Sequence, residues 1–541
     1  MRKFCLCIVC VLFYGRLLAQ VDAVVPFTSS NLPIVVIKST LSIMDDPKVT
    51  ASMGIIDNFP NRNKLTDPYN VYDGLIGIEI RGSSSQMFPK KQYGLELRDE
   101  LGNGIAASLL SMPEEEDWIL FAPYNDKSLM RDALAYHMGR SLGQYAPRTK
   151  FCELVINDMY LGVYVLMEKI KRDKNRVDIN KLDPTEISGN DLSGGYILKI
   201  DKMTGGGDGW TSEYQPPNAK GQTVQFLYEY PEADEIVPEQ KSYIQKYIGD
   251  FESALAGSNF DDPLTGYAKY IDVNSFVDFF IMQEVSKNVD GYRLSTFFYK
   301  QRESDGGKLV MGPIWDFNLG FGNANYCTSG NPEGFVLDFN NICPDDYWLI
   351  PFWWKRLLQH QSFRTKVATR WAELRSGAFK EDVVHDYIDS VASVLNVESQ
   401  ARNFQAWQVL SQYIWPNYYV GSTFQSEVNW LKGWVSQRLT WLDQNMPSLV
   451  TATELTELLE DTQAYPNPFS SDVTIDYSIQ KSGEVDISIW DSTGRNINSV
   501  KVSHDTSGRY SYSWRCDISG IYYYSVKQGT ISIGDGKLLK K

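Results

Sequence analysis

Two aspartates are the clearest candidates for chemistry in this sequence. Asp290 follows a predicted helix that ends near Lys287 and precedes an aromatic strand, and Asp316 follows an apolar strand. A hairpin of these two strands, Thr296–Lys300 and Leu309–Trp315, would bring both carboxylates to one end of a small sheet. Carboxylates that face one cleft in this way suit the binding of magnesium and phosphate.

The spacing around the two aspartates fits phosphoryl transfer. In protein kinases one Asp orients the acceptor hydroxyl, a polar residue five positions later can bind metal, and an Asp before Phe holds magnesium. Asp290, Ser295 and the dipeptide Asp316–Phe317 have this order and spacing. The alternative is that both aspartates are ordinary turn or cap residues, which is the usual role of Asp at an isolated turn.

A second polar group precedes a predicted strand near the start of the chain. Arg81 and Gly82 lead into the small-residue turn Ser83–Ser85, and Lys91 enters the strand that follows. A strand, a turn of small polar residues and a lysine could together cradle and neutralise phosphates. Taken alone, a lysine pair such as Lys90–Lys91 is usually a solvated strand edge.

The elements that would position these residues follow from the hydrophobic pattern. Residues 33 to 200 alternate short apolar runs with polar turns, which predicts a β-rich region crossed by one helix over Lys127–Leu142, with Asp126 as its N-cap. The turn Asn157-Asp158-Met159 predicts a hairpin. The predicted strands are Ile34–Ile37, Leu75–Arg81, Tyr93–Arg98, Trp118–Ala122, Cys152–Ile156, Tyr160–Met167 and Tyr196–Ile200.

The spacing of apolar residues changes twice in the rest of the chain, first to a helical and then back to a strand-like pattern. Helical spacing predicts helices near 239–256, 274–287, 352–375, 383–396 and 424–444, and therefore a helical lobe after the β-rich lobe, with a ligand cleft between them. The last 80 residues return to strand patterns, Val473–Tyr477, Val485–Ile489 and Tyr522–Val526, which predict a small all-β, Ig-like sandwich. The predicted fold class is α+β, with boundaries at 33–445, a linker at 446–462 and a tail at 463–541.

Composition and charge narrow the functional class. Residues 1 to 19 have a short basic start, an apolar run and a small-residue exit, which predicts a signal peptide. Removing them moves the formal net charge from −15 to −18, because three basic residues and no acid are lost. This charge argues against nucleic acid as a partner. No later stretch has 18 uninterrupted apolar residues, so we expect no transmembrane segment in the mature chain.

Export of the chain, as the signal peptide predicts, would allow its remaining cysteines to oxidise. Four of the seven remain after the predicted cleavage. Cys327 and Cys343 flank a loop rich in Gly, Pro and Asn, which predicts a loop-closing disulfide in an oxidising compartment. Cys152 lies in an apolar strand and is expected to be a buried free thiol.

The motifs, taken together, resemble one family. The segments RGSSSQMFPKKQYGLEL, DWILFAPYNDKSLMRDALAYHMG, LVINDMYLGVYVLMEKI, Asp290–Gly322 and SEVNWLKGWVSQRLTWLD occur in the order seen in the spore coat protein H (CotH) kinase-like family. The resemblance covers residues 33 to 445. It implies an atypical, two-lobed protein-kinase-like fold that uses ATP with Mg²⁺, or Mn²⁺, to phosphorylate Ser or Thr of a protein substrate rich in these residues.

The resemblance also implies roles for single residues. Asp290 would be the catalytic aspartate and Asp316 a metal ligand, while Lys91, Arg81 and Glu168 would contact or border the nucleotide. Two further metal ligands would depart from the family pattern. Asn318 stands where many relatives have a second Asp, and Ser295 stands where the catalytic loop often has Asn. Both side chains still offer an oxygen to a metal. Asp126 and Arg131 are expected to be scaffold residues, a cap and a buried pair.

The tail resembles a second family. The motifs YPNPF at Tyr465–Phe469, DSTGR at Asp491–Arg495, SGIYYY at Ser519–Tyr524 and the basic end Lys537–Lys541 are similar to those of a type IX secretion (Por) C-terminal sorting domain. This implies that the outer-membrane secretion machinery is a partner, and that the protein is secreted or attached to the outer surface of a bacterial cell.

Two alternatives to a kinase remain open on the residues alone. The fold could be retained without catalysis, in a surface binding module that recognises carbohydrate. Paired carboxylates could also serve carbohydrate hydrolysis.

Overall fold

The computed structural model describes residues 21–203, 208–449, 463–479, 482–506, 508–529 and 531–541. The chain forms two compact units, one that ends at Met446 and one that begins at Pro447. The predicted signal peptide, residues 1–19, lies outside the described residues, as do residues 450–462 of the predicted linker.

The first half of the larger unit is built around a closed barrel. Seven strands close in the order β2-β3-β5-β6-β7-β9-β8, with β2 and β8 parallel and the other neighbours antiparallel. Closure pairs the edges that an open sheet would leave free. The elements of this half are β1 (Ser29–Ser30), β2 (Ile34–Lys38), β3 (Val49–Ile56), β4 (Asn63–Lys64), β5 (Tyr72–Arg81), β6 (Gln92–Arg98), β7 (Asp117–Phe121), α1 (Arg131–Ser141), β8 (Thr149–Ile156) and β9 (Met159–Glu168).

Alternating apolar side chains fill the barrel core, which includes Val35, Ile76, Leu95 and Leu154. The six predicted strands up to residue 168 are confirmed to within a few residues. Strand β3 was not predicted, because Ala51 and Gly54 are residue types depleted in strands and weaken its pattern.

Helix α1 begins later than predicted. It starts at Arg131 rather than Lys127, and Met130 rather than Asp126 occupies the N-cap position, which corrects the expected cap. Leu129 has a left-handed backbone (φ +64°) that cannot continue a helix. From outside the N-cap position, the Asp126 carboxylate accepts the backbone N–H of Ser128 in the preceding turn at 3.0 Å and that of Arg131, the first residue of the helix, at 2.8 Å. The predicted buried pair of Asp126 with Arg131 is confirmed.

The second half of the larger unit combines helices with a five-stranded antiparallel sheet of order β11-β12-β10-β13-β14. The predicted strand over Leu309–Trp315 ends at Met311, because Pro313 cannot donate to a neighbouring strand. The elements are α2 (Gly189–Leu192), β10 (Tyr196–Ile200), β11 (Gly209–Thr211), β12 (Gln225–Tyr230), α3 (Pro238–Ala256), α4 (Val273–Ser286), β13 (Thr296–Lys300), β14 (Leu309–Met311), α5 (Phe339–Ile342), α6 (Trp353–Leu357), α7 (Gln361–Ser376), α8 (Glu381–Asn396), α9 (Ser399–Ala406) and α10 (Phe424–Asn445).

The predicted helices are confirmed, except that the one expected over 352–375 is divided into α6 and α7. The predicted disulfide between Cys327 and Cys343 is present, with a Cα–Cα distance of 5.8 Å, and Cys152 is a buried free thiol as expected. Among the described residues, no helix combines the length and apolar character needed to span a membrane.

Apart from a 3-10 turn at Pro447–Leu449, the regular elements in the described part of the smaller unit are strands. They form a three-stranded sheet of order β15-β16-β19 and a four-stranded sheet of order β18-β17-β20-β21, which share one apolar core. The predicted all-β sandwich is thus confirmed. The strands are β15 (Gln463–Tyr465), β16 (Asp472–Ile479), β17 (Gly483–Asp491), β18 (Asn496–His504), β19 (Gly508–Arg515), β20 (Gly520–Gln528) and β21 (Ile531–Lys540).

Candidate functional site

A cavity of about 250 Å³ lies between the barrel, helix α1 and the five-stranded sheet. Side chains from separate parts of the chain border it, which is a common arrangement for a ligand site. The structure brings five of the seven predicted site residues to this cavity: Arg81, Asp290, Ser295, Asp316 and Asn318.

Asp316 occupies an unusual backbone position at the cavity. It has a left-handed conformation (φ +63°), a costly geometry for a non-glycine residue that often occurs at functional sites. Asn318 Nδ2 donates to Asp316 Oδ1 at 2.8 Å. Burial, together with the neighbouring charges of Asp290 and Asp201, raises the pKa of Asp316 to about 6. The site therefore concentrates negative charge that a bound cation would relieve.

Asp290 is held by a buried arginine. Arg293 Nη2 donates to Asp290 Oδ1 at 2.7 Å, and the same guanidinium donates through Nη1 to Asp346 at 3.1 Å. Arg293 has only 2% of its side chain exposed, whereas Asp290 keeps 20% exposed. This contact fixes the direction of the Asp290 carboxylate while leaving part of it accessible from the cavity.

Cationic side chains border the same cavity from the barrel and the sheet. Arg81 ends strand β5, and Lys199 and Lys202 lie on and just after β10. Burial lowers the pKa of Arg81, and the Asp316 carboxylate opposes that shift. Lys199 Nζ pairs with Glu229 at 2.8 Å, and this partner raises the pKa of Lys199 in spite of the opposing effect of burial. These cations are suitable for binding phosphate oxygens.

Asp201 is a further carboxylate that borders the cavity. Burial raises its pKa, and the positive charge of Lys199 opposes the increase. Ser295 has a left-handed backbone (φ +47°). The next residue, Thr296, pairs with Ile200 at the end of strand β10, so Ser295 and Asp201 lie at the same end of these two strands.

Two of the predicted site residues do not border the cavity. Lys91 Nζ donates to the carbonyl oxygen of Gln86 at 2.6 Å. Glu168 is buried and accepts the backbone N–H of Arg148 at 2.9 Å and the guanidinium of Arg148 at 2.8 Å. Glu168 therefore binds Arg148 rather than Lys91 in this structure.

Lys90 borders the cavity where Lys91 does not. Its Nζ donates to Val163 O at 2.6 Å and to Asn403 Oδ1 at 2.8 Å, so the ammonium links the barrel to helix α9. Burial lowers the pKa of Lys90 to about 7. These contacts give Lys90 a structural role.

Helix α1 holds the backbone of the Asp316 turn. Tyr136 Oη accepts the backbone N–H of Asp316 at 3.2 Å, and Asp132 Oδ1 accepts the backbone N–H of Phe317 at 2.7 Å. The two side chains are four residues apart and therefore lie on one face of the helix. One face of helix α1 thus holds the backbone N–H groups of Asp316, the candidate metal ligand, and of Phe317.

Sequence reasoning missed several of these residues. Asp201 and Lys202 directly follow a correctly predicted strand, and charged residues just after a strand are a signal that could have been followed. Asp132 and Tyr136 have the i, i+4 spacing of one helix face, but nothing in the sequence shows that this face meets the Asp316 turn.

Metal binding here would depend on few protein ligands. The described residues contain no group of three or more His, Cys, Asp and Glu side chains arranged to hold a metal. Mg²⁺ usually keeps several waters and binds through one or two carboxylates together with substrate phosphates. Asp316, with Asn318 beside it, fits Mg²⁺ binding through one carboxylate. A cation there would also offset the negative charge around Asp316.

The comparisons with known proteins agree with the motifs. The family model for the CotH kinase protein matches residues 78–442, and the chain belongs to this family. The model for the secretion system C-terminal sorting domain matches residues 463–541. The protein is therefore secreted and attached to the outer cell surface of a bacterium, with the type IX secretion machinery as a partner.

One solved structure was similar only at a low level. The crystal structure of a proinflammatory kinase, CtkA, from Helicobacter pylori shares 12% identity, with 65% of this chain and 94% of that chain covered and a TM-score of 0.26. These values are too low to transfer geometry between the two proteins. No curated protein matches the chain significantly.

Proposed function

We propose that this protein is an atypical Ser/Thr protein kinase of the cell surface, which transfers the γ-phosphoryl group of ATP to a protein hydroxyl. The observation that carries the proposal is the convergence of Asp290 and Asp316 with Arg81 and Lys199 on one cavity. We further propose that the barrel with helix α1 is the N-terminal lobe of a two-lobed kinase-like fold and that the later helices belong to the C-terminal lobe.

The roles of the protein groups follow from their positions. Asp290, oriented by Arg293, would accept a hydrogen bond from the acceptor hydroxyl and take its proton as the new phosphate ester forms. Arg81, Lys199 and Lys202 would bind the phosphate oxygens. These cations would also stabilise the negative charge of the transition state.

Asp316 would hold Mg²⁺ or Mn²⁺, with Asn318 and Ser295 as further oxygen donors, and the metal would neutralise charge on the nucleotide phosphates. Lys91 and Glu168 would not contact the nucleotide unless their present hydrogen bonds are exchanged. Their proposed role is therefore weaker than that of the cations that border the cavity.

The decisive experiment measures transfer from γ-labelled ATP to a Ser-rich acceptor protein. Asp290→Asn keeps the shape of the side chain but removes the base, and we expect kcat to fall by about 10²- to 10⁴-fold. Its ATP- and Mg²⁺-dependent stabilisation should remain. Asp316→Ala should lose both transfer and this stabilisation, which would be about 2.7 kcal/mol at 100 times the dissociation constant.

Asp389→Asn is a matched control, because this exposed carboxylate on helix α8 pairs with Lys432 on the protein surface. Full transfer by Asp290→Asn would exclude the proposed base. Absence of both transfer and nucleotide stabilisation in the wild type would instead support a kinase-like binding module, an alternative that the departures at Asn318 and Ser295 favour.

A further inference from the structure

Asn288 is a buried residue that joins the segments of the two candidate catalytic aspartates. It lies two residues before Asp290, directly after the left-handed Lys287 (φ +44°) at the end of helix α4, and 2% of its surface is exposed. Its Nδ2 donates to the backbone oxygen of Asp316 at 3.1 Å, and its Oδ1 accepts the backbone N–H of Asp290 at 3.2 Å. One amide group therefore links the backbones of two residues that lie far apart in the sequence.

The contact with Asp316 completes the support of one peptide group. The carbonyl oxygen of Asp316 and the N–H of Phe317 belong to the same planar peptide unit. Asn288 donates to this carbonyl oxygen, and Asp132 Oδ1 accepts this N–H at 2.7 Å. The peptide unit is thus held at both ends, from the Asp290 turn and from helix α1, and its plane sets the ψ angle of the left-handed Asp316.

The contact with Asp290 belongs to a compact turn. The backbone N–H of Gly291 donates to the backbone oxygen of Asn288 at 2.8 Å, which closes the turn around Asp290. From the same turn, Arg293 Nη2 donates to the Asp290 carboxylate. Asn288 therefore ties to Asp316 the turn that holds both the backbone and the side chain of the candidate base.

The chemistry of an amide side chain suits this link. Asn carries a donor and an acceptor on one short planar group, whereas an aliphatic side chain of similar size offers neither. Without the amide, the part-buried N–H of Asp290 and the part-buried carbonyl of Asp316 would each lose a hydrogen-bond partner. Backbone groups away from water need such partners, so the two segments would shift to find others.

We propose that Asn288 is a positioning residue that sets the distance between the Asp290 and Asp316 carboxylates, and thereby between the acceptor hydroxyl and the metal-bound phosphate. This inference rests on the proposed kinase function. Asn288 is not among the described residues that border the cavity, so it would act through the two aspartates rather than on the substrate. Phosphoryl transfer depends on the alignment of its reacting groups, and a misplacement of about 1 Å can lower the rate about 10²-fold.

The test compares Asn288→Leu with Asn63→Leu in the mature full chain. Asn63 is a matched control, because it is also buried and its amide also joins two backbone segments, donating to Leu32 O at 2.8 Å and accepting the N–H of Asn58 at 2.6 Å. It is not among the described residues that border the cavity. Urea unfolding would establish that both variants are folded under the assay conditions. If Asn288→Leu does not fold, Asn288→Ser and Asn63→Ser take the place of the pair, since Ser keeps a polar group that is too short to reach both backbone partners.

Two measurements follow the two aspartates separately. Electron paramagnetic resonance of free Mn²⁺, without and with a non-hydrolysable ATP analogue, reports the metal site, and we expect the Kd for Mn²⁺ to rise about ten-fold in Asn288→Leu, since a metal ligand must be held by its neighbours. Labelled-phosphate transfer at saturating ATP reports the alignment, and we expect kcat to fall about 10²-fold. Raising Mg²⁺ should not restore kcat, because Asp290 would be displaced as well. KM for ATP should stay within about three-fold, since the cations that bind the phosphates are unchanged.

Combination with Asp290→Asn separates positioning from a general structural effect. Once the base is absent, its placement no longer matters, so the losses of kcat from Asn288→Leu and Asp290→Asn should combine to less than their product. A combined loss equal to the product would show that Asn288 acts independently of Asp290 and would overturn the proposal.

The outcomes separate the role of Asn288 from the kinase proposal. Wild-type kcat in Asn288→Leu, full recovery of kcat by Mg²⁺, or equal losses in Asn63→Leu would each overturn the role of Asn288 while the kinase proposal stands. If the wild type transfers no phosphate but the affinity for Mn²⁺ falls only in Asn288→Leu, the kinase proposal fails and the positioning of Asp316 by Asn288 stands. A wild type that neither transfers phosphate nor binds Mn²⁺ would overturn both.

Discussion

Glu252 is a buried carboxyl group whose environment favours its protonated form. It lies on helix α3 with 3% of its surface exposed, and its oxygens accept hydrogen bonds from Ser212 Oγ and Trp353 Nε1. Burial raises the pKa of Glu252 to about 7, in spite of these hydrogen bonds. The group therefore holds a proton more tightly in the folded than in the unfolded chain, where its pKa is about 4.5.

This difference predicts how stability depends on pH. The stabilising contribution of the protonated Glu252 is fully present below pH 4.5 and is lost as the pH rises towards 7, by an amount on the order of 3 kcal/mol. We expect Glu252→Gln, which cannot titrate, to lose less stability than the wild type between pH 5 and pH 8. Urea unfolding at the two pH values would measure this.

The control for this measurement is Asp250→Asn on the same helix, because Asp250 is solvent-exposed and pairs with Lys246. It should keep the pH dependence of the wild type. If the free energy of unfolding of Glu252→Gln depends on pH as strongly as that of the wild type, then Glu252 is not the group whose protonation stabilises the fold.

Helix α1 acts as a support for the site rather than as part of its chemistry. Tyr136 and Asp132 accept the two consecutive backbone N–H groups of Asp316 and Phe317. The left-handed conformation of Asp316 costs about 1–3 kcal/mol, and such a cost persists only where surrounding contacts determine the backbone. The helix supplies those contacts, and so determines where the Asp316 carboxylate lies.

We expect Tyr136→Phe to affect catalysis more than stability. Loss of one hydrogen bond should lower the free energy of unfolding by about 1 kcal/mol. The less constrained Asp316 should raise the Mg²⁺ concentration needed for half-maximal transfer about ten-fold, since ligands must be held in place by their neighbours. Titration of Mg²⁺ in the transfer assay, with urea unfolding in parallel, would test this.

Tyr267→Phe is a matched control, because its hydroxyl hydrogen-bonds to His360 in another part of the unit. It should leave the Mg²⁺ requirement unchanged. An equal Mg²⁺ requirement in Tyr136→Phe and the wild type would mean that the helix does not position Asp316.

At the scale of the whole molecule, the two units have separate cores. The tail buries Val473, Ile487 and Val526 among its own strands, while the barrel encloses its own apolar residues. The described residues that border the candidate site all belong to the larger unit. We therefore expect the site to form without the sorting domain.

We expect a chain that ends at Met446 to fold and to keep its stabilisation by ATP and Mg²⁺, because its core and site are complete without the tail. Differential scanning calorimetry should show the transition of the larger unit at an unchanged temperature and lose that of the tail. Loss of the nucleotide response on truncation would show that the tail contributes to the site.

Local signals identified most elements in advance. Alternation and helical periodicity predicted six of the seven barrel strands and the long helices, because these patterns report which face of an element is buried. The hairpin turn at Asn157 and Asp158 has the expected reversal, with both residues left-handed. The pattern failed at the start of helix α1, where the left-handed Leu129 delays the helix, so that Asp126 reaches the N–H of Arg131 from five residues away and not from the N-cap position.

The sequence by itself determined the two families, the α+β class with its all-β tail, the disulfide and the choice of Asp290 and Asp316 as residues of one cleft. These features depend on ordered motifs and on neighbouring residues, which can be read along the chain. Only the tertiary structure decided that the barrel closes, that Lys199, Asp201 and Asp132 join the cavity, and that Lys91 and Glu168 remain outside it. Such contacts join residues far apart in sequence, and no local pattern specifies which surfaces will meet.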